Sequence, residues 1–307
     1  MGYVYPGRMG RERAKMQQLE PGLRLVRANN PSPMTYTGTN TYLLGTREVA
    51  VIDPGPDDPA HLEAIRAALP DGAKITHILV THSHLDHAPL ARPLAQRTGA
   101  PIYARGDSTA GRSPIMTQLA ASGLVGGGEG VDPTFRPDIF AADSERLHSA
   151  DWEIEVLYTP GHFGNHICFA TQDIVFTGDH VMGWASSLVS PPDGDLTQFM
   201  ASCERLKTHP ARVFYAGHGD PITDPQARLD WLIAHRKSRE AQIIEALRLG
   251  PATAATLAKI IYTDVDPRLL AAAERNVLAH LIDLTQKEYI VPQGALSATV
   301  SFALQKP

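Results

Sequence analysis

The chain has few cysteines and no long apolar run. Only Cys168 and Cys203 occur among its 307 residues. Two cysteines are too few for a disulfide framework, and they match neither zinc-finger nor redox spacing, so we expect them to be reduced and buried. No stretch of about eighteen apolar residues is present, so the sequence predicts no membrane span.

A strong charge of one sign is also missing. The 28 Lys and Arg residues against 33 Asp and Glu residues give a formal net charge of −5. This balance gives no support for a strongly basic nucleic-acid-binding surface. Near the start of the chain, Arg8, Arg11 and Arg13 interrupt any apolar core of a secretory signal, so we expect a cytoplasmic protein. Residues 1–18 are predicted to form a mobile tail.

Four potential metal ligands lie within six residues, at His82, His84, Asp86 and His87. They directly follow the apolar run 75–80, which is rich in branched aliphatic residues and predicts a buried strand. Side chains on an extended chain alternate, so His82 and His84 would point to one side, while the other two come where the chain turns. One pair can therefore bind a first ion while the other reaches a second. A surface cluster of polar residues is the alternative, but this ligand chemistry favours a metal site.

Three further candidate ligands each follow a glycine at the end of an apolar strand. The dipeptides are Gly161-His162, Gly178-Asp179 and Gly217-His218. A glycine lets the backbone turn tightly, so the next side chain can point into a shared cleft. One such element would be weak support. Three of them, together with the first cluster, predict a binuclear metal site.

Strands and helices alternate over the first part of the chain, which predicts an α/β layered domain. We expect this domain to cover residues 19–223, with a weakly patterned loop from Ser108 to Pro137. From Asp224 onward the pattern is almost all helix, followed by a short terminal hairpin. That content is typical of a winged-helix module, which we place at residues 224–307.

The ligand pattern resembles that of the metallo-β-lactamase superfamily of hydrolases, whose hallmark is His-x-His-x-Asp-His followed by separate His, Asp and His ligands. The resemblance implies an αββα sandwich with the site at one edge of the two sheets. It also implies how the ligands are shared between two ions. By this resemblance His82, His84 and His162 bind one ion, Asp86, His87 and His218 bind the other, and Asp179 bridges both.

A narrower resemblance is to the lactamase-beta-2-like branch of that superfamily. It rests on the segments GTNTYL at 38–43, TGDHVMGW at 177–184 and SPPDG at 190–194, and on the C-terminal module. Characterised eukaryotic members of this branch are single-strand endoribonucleases. The chain departs from the superfamily pattern at Phe163, where Thr or Ser usually follows the ligand histidine. We expect this departure to remove a hydrogen bond beside the metal without preventing metal binding.

The activity implied by the resemblance is hydrolysis with two metal ions per chain. Imidazole and carboxylate ligands without thiolate suit zinc, with manganese or iron as alternatives. We expect a metal-bridging hydroxide to attack an ester, thioester or phosphodiester. Asp179 would orient the water and carry its proton, with Asp86 as a second catalytic carboxylate. The expected partner is a small ester-like molecule or short single-stranded RNA, so a single-strand endoribonuclease is the alternative within this class.

Two other classes of protein need weighing. An iron-dependent oxidoreductase of the same fold is disfavoured by the complete set of seven ligands and by the lack of an appended flavodoxin-like or rhodanese-like segment. A nucleic-acid-binding regulator with a degenerate metal site conflicts with the same ligand set. Residues 236–307 contain nine Lys and Arg against seven Asp and Glu. This even balance favours a lid or a homodimer contact over phosphate binding for the C-terminal module.

Five residues near the motifs are candidates for supporting roles. Asp53 ends a strand and is expected to hydrogen-bond a ligand histidine, although a turn-capping role fits the pattern equally well. Direct substrate contacts are predicted for Asn40, in the segment 38–43, and for three residues that are close to the ligand motifs in sequence: His166, His180 and Trp184. For His180 and His166 a packed, structural histidine is the alternative, and for Trp184 it is ordinary packing.

Overall fold

The structure is a computed structural model that describes residues 16–126 and 130–305. Residues 1–15 of the predicted tail and residues 127–129 of the predicted loop lie outside these described residues. Gln17 and Gln18 fall within the range predicted as a mobile tail, but they lie in the first strand. There they pair with Leu25 and Arg24 of the next strand.

Two sheets form the centre of the larger, N-terminal unit. The strands of the first sheet, in spatial order, are β1 (Gln17–Glu20), β2 (Leu23–Arg27), β3 (Asn40–Leu44), β4 (Glu48–Ile52), β5 (Lys74–Leu79), β6 (Ile102–Ala104) and β7 (Ile139–Phe140). The second sheet contains β8 (Arg146–His148), β9 (Glu153–Tyr158), β10 (Ile167–Thr171), β11 (Ile174–Gly178) and β12 (Val213–Ala216), in the order β12-β11-β10-β9-β8. The face of each sheet that points to the other is apolar, so the two sheets pack together.

Seven α-helices lie in the described ranges. They are α1 (Pro59–Ala67), α2 (Ala91–Thr98), α3 (Pro114–Ala121), α4 (Leu196–Thr208), α5 (Pro225–Arg248), α6 (Ala254–Ile261) and α7 (Leu270–Gln286), with a short 3₁₀ turn at Pro267–Leu269. Within those ranges, none of the helices combines the length and apolar character that crossing a bilayer requires.

The layers follow from which faces are apolar. Between the sheets lies a core to which Ile52 and Leu79 of the first sheet and Phe169 and Phe176 of the second contribute. Helices α1 and α2 cover the outer face of the first sheet, and α4 with the start of α5 covers the second. This helix–sheet–sheet–helix order confirms the predicted αββα sandwich.

The carboxyl ends of several strands meet at one edge of the sandwich. In the first sheet β4, β5 and β6 run parallel, and in the second β11 and β12 run parallel. Strand β9 has the same direction as β11 because each is antiparallel to β10. Loops that leave β5, β9, β11 and β12 therefore emerge on the same side of each sheet. A bridge between Thr39 and His218 connects the two sheets at this edge.

Side chains at the N-termini of two helices bind the free backbone amides there. Asp195 accepts a hydrogen bond from the amide of Gln198 at the start of α4. Asp224 accepts one from Ala227 at the start of α5, and Pro225 occupies the first helical position. These side chains satisfy backbone donors that would otherwise lack partners, so they set where each helix begins.

The C-terminal module consists of the second half of α5, α6, α7 and a hairpin of β13 (Ile290–Pro292) and β14 (Phe302–Leu304). Its core contains apolar side chains from every one of these elements, including Ile243, Leu257, Leu281 and Phe302. Three helices and a hairpin confirm the predicted winged-helix architecture. The exact domain boundaries stay a prediction.

One element departs from the prediction of a weakly patterned loop at 108–137. Helix α3 forms within it, with Ser113 as its N-cap and Pro114 at its first position. Its buried residues, Met116 and Leu119, pack into the core of the C-terminal module. An eight-residue helix has too few turns to show a periodic pattern, and the surface that stabilises it is more than a hundred residues away.

Candidate metal centre

The seven predicted ligands converge at the edge where the two sheets meet. His82, His84, Asp86 and His87 follow β5, His162 follows β9, Asp179 follows β11 and His218 follows β12. The structure contains two groups whose ligand atoms all lie within 4.8 Å of one another. The first group is His82, His84, His162 and Asp179; the second group is Asp86, His87, His218 and Asp179. All seven side chains are buried, and Asp179 belongs to both groups.

Two glycines are necessary for this convergence. Gly178 has a φ of +46°, and a Cβ there would lie 2.7 Å from Nε2 of His166. A Cβ at Gly217 would lie 2.4 Å from Oδ1 of Asp179 and 2.7 Å from Cε1 of His87. A side chain at Gly217 would displace two predicted ligands, and one at Gly178 would displace His166 and Thr81 behind them, because real Cβ contacts are longer than these distances.

The atoms at the centre fit metal cations better than they fit one another. Nδ1 of His84 lies 2.9 Å from Nε2 of His82 and 3.2 Å from Nε2 of His162. Oδ1 of Asp86 and Oδ1 of Asp179 are buried without a hydrogen-bond partner among the described residues. Leaving buried carboxylate oxygens unpaired is costly, and imidazole with carboxylate is a donor set for zinc, manganese or iron. The residues therefore fit two divalent cations, one per group.

Each ligand ring except that of His84 is oriented by a contact on its far side. Nδ1 of His82 lies 2.9 Å from Thr81 Oγ1, and Nδ1 of His218 lies 3.2 Å from the carbonyl oxygen of Gly38. His162 Nδ1 lies 2.6 Å from the carbonyl oxygen of Leu188. These contacts leave the opposite nitrogen facing the centre, which selects the tautomer that can bind a metal.

Asp53 lies where the sequence predicts it. Its Oδ2 is 2.9 Å from Nδ1 of His87, and its Oδ1 accepts a hydrogen bond of 2.7 Å from the amide of Thr81. Asp53 has a φ of +50°, which aspartate tolerates better than most residues. One carboxylate thus connects a ligand ring to the backbone at the end of the strand.

The two groups differ in their affinity for protons. Burial, followed by the neighbouring His162, lowers the pKa of His84 to about 3, and burial with His87 and His84 holds the pKa of His82 well below its usual value. Burial acts in the same direction on His218, but Asp179 and Asp86 outweigh it and raise the pKa to about 10. Without cations the first group is neutral at its rings, whereas the second group binds protons where a cation would lie.

Three of the four predicted substrate contacts are not accessible. Asn40, His166 and His180 are at most 1% exposed. The amide of Asn40 donates to the carbonyl oxygens of Ala216 and Gly219 and so joins the two sheets. The ring of His166 lies between those of His82 and His180, behind the metal centre. The geometry thus gives these residues structural roles, because they are shielded from the cleft.

Trp184 does line the cleft, together with residues that the sequence analysis missed. A cavity of about 190 Å³ opens at His84, His162 and Asp179. Its opposite wall comes from the C-terminal module, through Tyr262, Val265, Leu269, Ala272, Ala273 and Asn276. These side chains form a largely apolar wall facing the metal centre. No signal in the sequence distinguishes them from ordinary core residues, because helical apolar spacing does not say what a helix faces.

Phe163 packs against other rings at the position where the superfamily usually has Thr or Ser. Its ring is 1% exposed and meets the ring of His84 edge-to-face, with centroids 4.9 Å apart. It also lies 6.2 Å from the ring of His82. Edge-to-face contact restricts the orientation of an aromatic or imidazole ring. The side chain that departs from the superfamily pattern therefore helps to hold the ring of His84.

The fold and the paired groups define an αββα protein with a candidate binuclear metal site, and comparison with known proteins assigns its family. The family model of the metallo-beta-lactamase superfamily matches residues 34–218, and that of the beta-lactamase associated winged helix domain matches residues 253–295. The chain belongs to the metallo-beta-lactamase superfamily.

Individual relatives agree with this assignment. An atrochrysone carboxyl ACP thioesterase of Cryptosporiopsis sp. is 29% identical over 236 residues, which is 76% of this chain and 65% of that protein, so the match spans just under two thirds of the relative. The beta-lactamase-like protein 2 homolog of Drosophila melanogaster is 29% identical over 84% of this chain and 86% of its own length. A metallo-beta-lactamase family protein of Thermus thermophilus superposes with a TM-score of 0.75 at 26% identity, covering 94% of this chain and 100% of that one.

Proposed function

We propose that this protein is a di-metal hydrolase of thioesters with an apolar acyl group, and that zinc is its native ion. The observation that carries the proposal is the cavity, in which His84 and His162 of the first group and the shared Asp179 face an apolar wall. Among the described residues no lysine or arginine lines it. An uncharged acyl chain fits such a wall, and the thioesterase named among the relatives supports this choice.

The chain's own residues supply orientation and proton transfer. Oδ2 of Asp179 lies 3.3 Å from Nε2 of His218 and 3.8 Å from Nε2 of His162, so this carboxylate reaches both groups. Its Oδ1 has no hydrogen-bond partner among the described residues and lies 3.4 Å from Nε2 of His87, so it is available to accept a proton from the attacking water and pass it to the departing thiolate. Oδ2 of Asp86 lies 3.1 Å from Nε2 of His218 and accepts a hydrogen bond of 3.3 Å from Thr39 Oγ1, so this oxygen is held beside the second group.

When bound, two divalent cations would lower the pKa of a water and polarise the electrophilic carbonyl. The first group would hold one of them and the second group the other, with Asp179 shared. The buried surroundings exclude bulk water from the ligands, which strengthens every electrostatic interaction there. The roles of the seven residues are part of the proposal.

The endoribonuclease alternative has less support from the geometry. RNA has one negative charge per nucleotide, and proteins that bind single strands combine cationic grooves with stacking platforms. The cavity has aromatic side chains in Trp184 and Tyr262 but no cationic one among the described lining residues. A phosphodiester would therefore find metal ions but no other charge to hold its backbone.

An assay panel tests the proposal. The purified protein, stripped with a chelator and reloaded with zinc, manganese or iron, is offered acyl thioesters of increasing chain length, matched oxygen esters, a phosphodiester and a short single-stranded RNA. We expect chelator-sensitive cleavage of thioesters, with kcat/KM rising with chain length. Cleavage of RNA at a higher kcat/KM than any thioester would replace the proposal with the endoribonuclease.

A matched pair of variants locates the acyl group. Ala272→Phe fills the apolar wall, and we expect it to lower kcat/KM for long-chain thioesters about tenfold while short-chain substrates change little, since each methylene in a pocket is worth that order of discrimination. Ala271→Phe is the control, because Ala271 is exposed on the same helix and does not line the cavity. Equal effects of the two variants would place the acyl group elsewhere.

A further inference from the structure

The segment 187–189 lies between the metal centre and the C-terminal module. On one side, the carbonyl oxygen of Leu188 is 2.6 Å from Nδ1 of His162. On the other side, the amide of Val189 donates to Oδ1 of Asn276 at 3.0 Å, and Nη2 of Arg236 donates to the carbonyl oxygen of Ser187. Three consecutive residues thus connect a predicted metal ligand to helices α5 and α7.

Arg236 and Asn276 also contact each other. Nη1 of Arg236 donates to Oδ1 of Asn276 at 2.9 Å, so that one oxygen accepts from both the guanidinium and the Val189 amide. The double acceptance determines which end of the Asn276 amide faces segment 187–189.

Burial of Arg236 is unusual enough to need a reason. The side chain is 2% exposed, and none of the ion pairs among the described residues includes it. Burial lowers the pKa of its guanidinium, and the ring of Phe199 lies 5.2 Å from Cζ. A buried cation without an anion is costly, whereas an apolar side chain of similar volume would fill the same space without that cost. Within the described part of the chain the guanidinium of Arg236 donates hydrogen bonds to Ser187 and Asn276. The buried charge therefore serves to hold these two residues.

We propose that Arg236 and Asn276 are positioning residues for the first metal group, acting through the Leu188 carbonyl on His162. The inference rests on the metal centre of the proposed function. His87 and His218 of the second group are oriented by Asp53 and Gly38, which belong to the N-terminal unit. The C-terminal module therefore controls how tightly the first group binds its ion, and leaves the second group unaffected.

The test compares two substitutions of one residue. Asn276→Leu removes the shared acceptor, while Asn276→Asp keeps an acceptor for both Arg236 and the Val189 amide and replaces the amide donor with a carboxylate oxygen whose charge Arg236 can pair. We expect Asn276→Leu to weaken one of the two bound ions by about 10–100-fold, the usual effect of losing an outer hydrogen bond to a ligand, while Asn276→Asp stays within about threefold of the unchanged protein. Affinities are measured by competition with a chromophoric chelator, and the visible spectrum of the cobalt-loaded protein reports on the altered site.

Arg236→Met provides a second, independent variant, which keeps most of the length of the side chain and removes its hydrogen bonds. We expect the same loss at the same ion, with an unchanged circular dichroism spectrum of the metal-free protein. Equal weakening of both ions, or unchanged affinities in Asn276→Leu, would overturn the inference. So would a raised KM in both Asn276 variants with intact metal binding, because that pattern belongs to a substrate contact. If the protein without any substitution bound no metal, that result would instead refute the proposed function.

Discussion

The two metal groups share Asp179 but differ in charge and in what orients them. The first group has three histidines, and its His84 and His82 have pKa values held low by burial. In the second group, Asp86 and Asp179 raise the pKa values of His87 and His218 despite burial. We therefore expect the metal affinities of two adjacent groups with similar side chains to depend on different factors. The affinity of the first depends on the C-terminal module, and the affinity of the second depends on pH.

The shared ligand gives the largest expected effect. Asp179→Asn keeps the shape of the side chain but removes the charge that both groups use and the base that accepts a proton. We expect kcat to fall about 10³-fold or more, measured in steady-state assays together with metal content. Asp173→Asn is the control, since Asp173 is exposed near the far end of the same hairpin. Retention of most of the turnover in Asp179→Asn would remove Asp179 from the mechanism.

A substitution of Asp53 acts mainly on the second metal group, whereas Asn276→Leu acts on the first. Asp53→Asn keeps a residue that tolerates the positive φ but weakens the acceptor for Nδ1 of His87. We expect the ion that Asn276→Leu leaves intact to bind about 10–100-fold more weakly. The other ion should weaken less, because Asp53 reaches His82 only through Thr81 Oγ1, which donates to Asp53 Oδ2 at 2.8 Å. Chelator competition on both single variants and the double variant measures this. If both changes weaken the same ion most, the two groups are not independent.

The third prediction concerns how metal affinity depends on pH, and it has the smallest expected effect for each pH unit. In the cation-free protein the pKa of His218 is about 10, so this ring is protonated at neutral pH and must lose its proton when an ion binds. Affinity of the second group should therefore rise about tenfold per pH unit between about pH 6 and 9 for each proton released. The first group should change little over that range, because the pKa of His84 is about 3 and its ring is already neutral. Chelator competition at several pH values shows whether the metal affinities of the two groups change together or separately.

The convergence of the predicted ligands could be foreseen from their positions in the chain. His162, Asp179 and His218 each follow an apolar strand and a glycine, and strands of one direction bring such positions to a common edge. The αββα layers follow from the same alternation of strands and helices. Local pattern therefore contains enough information to bring the ligands together.

The surroundings of the ligands were less predictable. His166 and His180 are close to predicted ligands in sequence, but they are buried away from the cleft, and proximity along the chain does not determine direction. Ala272 and Leu269 look like core residues of a small helical module, yet they form a wall of the cavity. Contacts of this kind depend on how two units dock, which no periodicity within one element reports.

Helix α5 has a consequence for any attempt to dissect the chain. Its first half places Leu229, Leu232 and Ile233 beneath the second sheet, and its second half places Ile243 and Leu247 in the winged-helix core. A truncation before Pro225 would uncover an apolar groove on α4 and remove Arg236 as well. Helix α5 contributes to both hydrophobic cores, so the N-terminal unit and the C-terminal module should unfold in a single cooperative transition. Proteolytic cleavage should separate them only beyond Gly250.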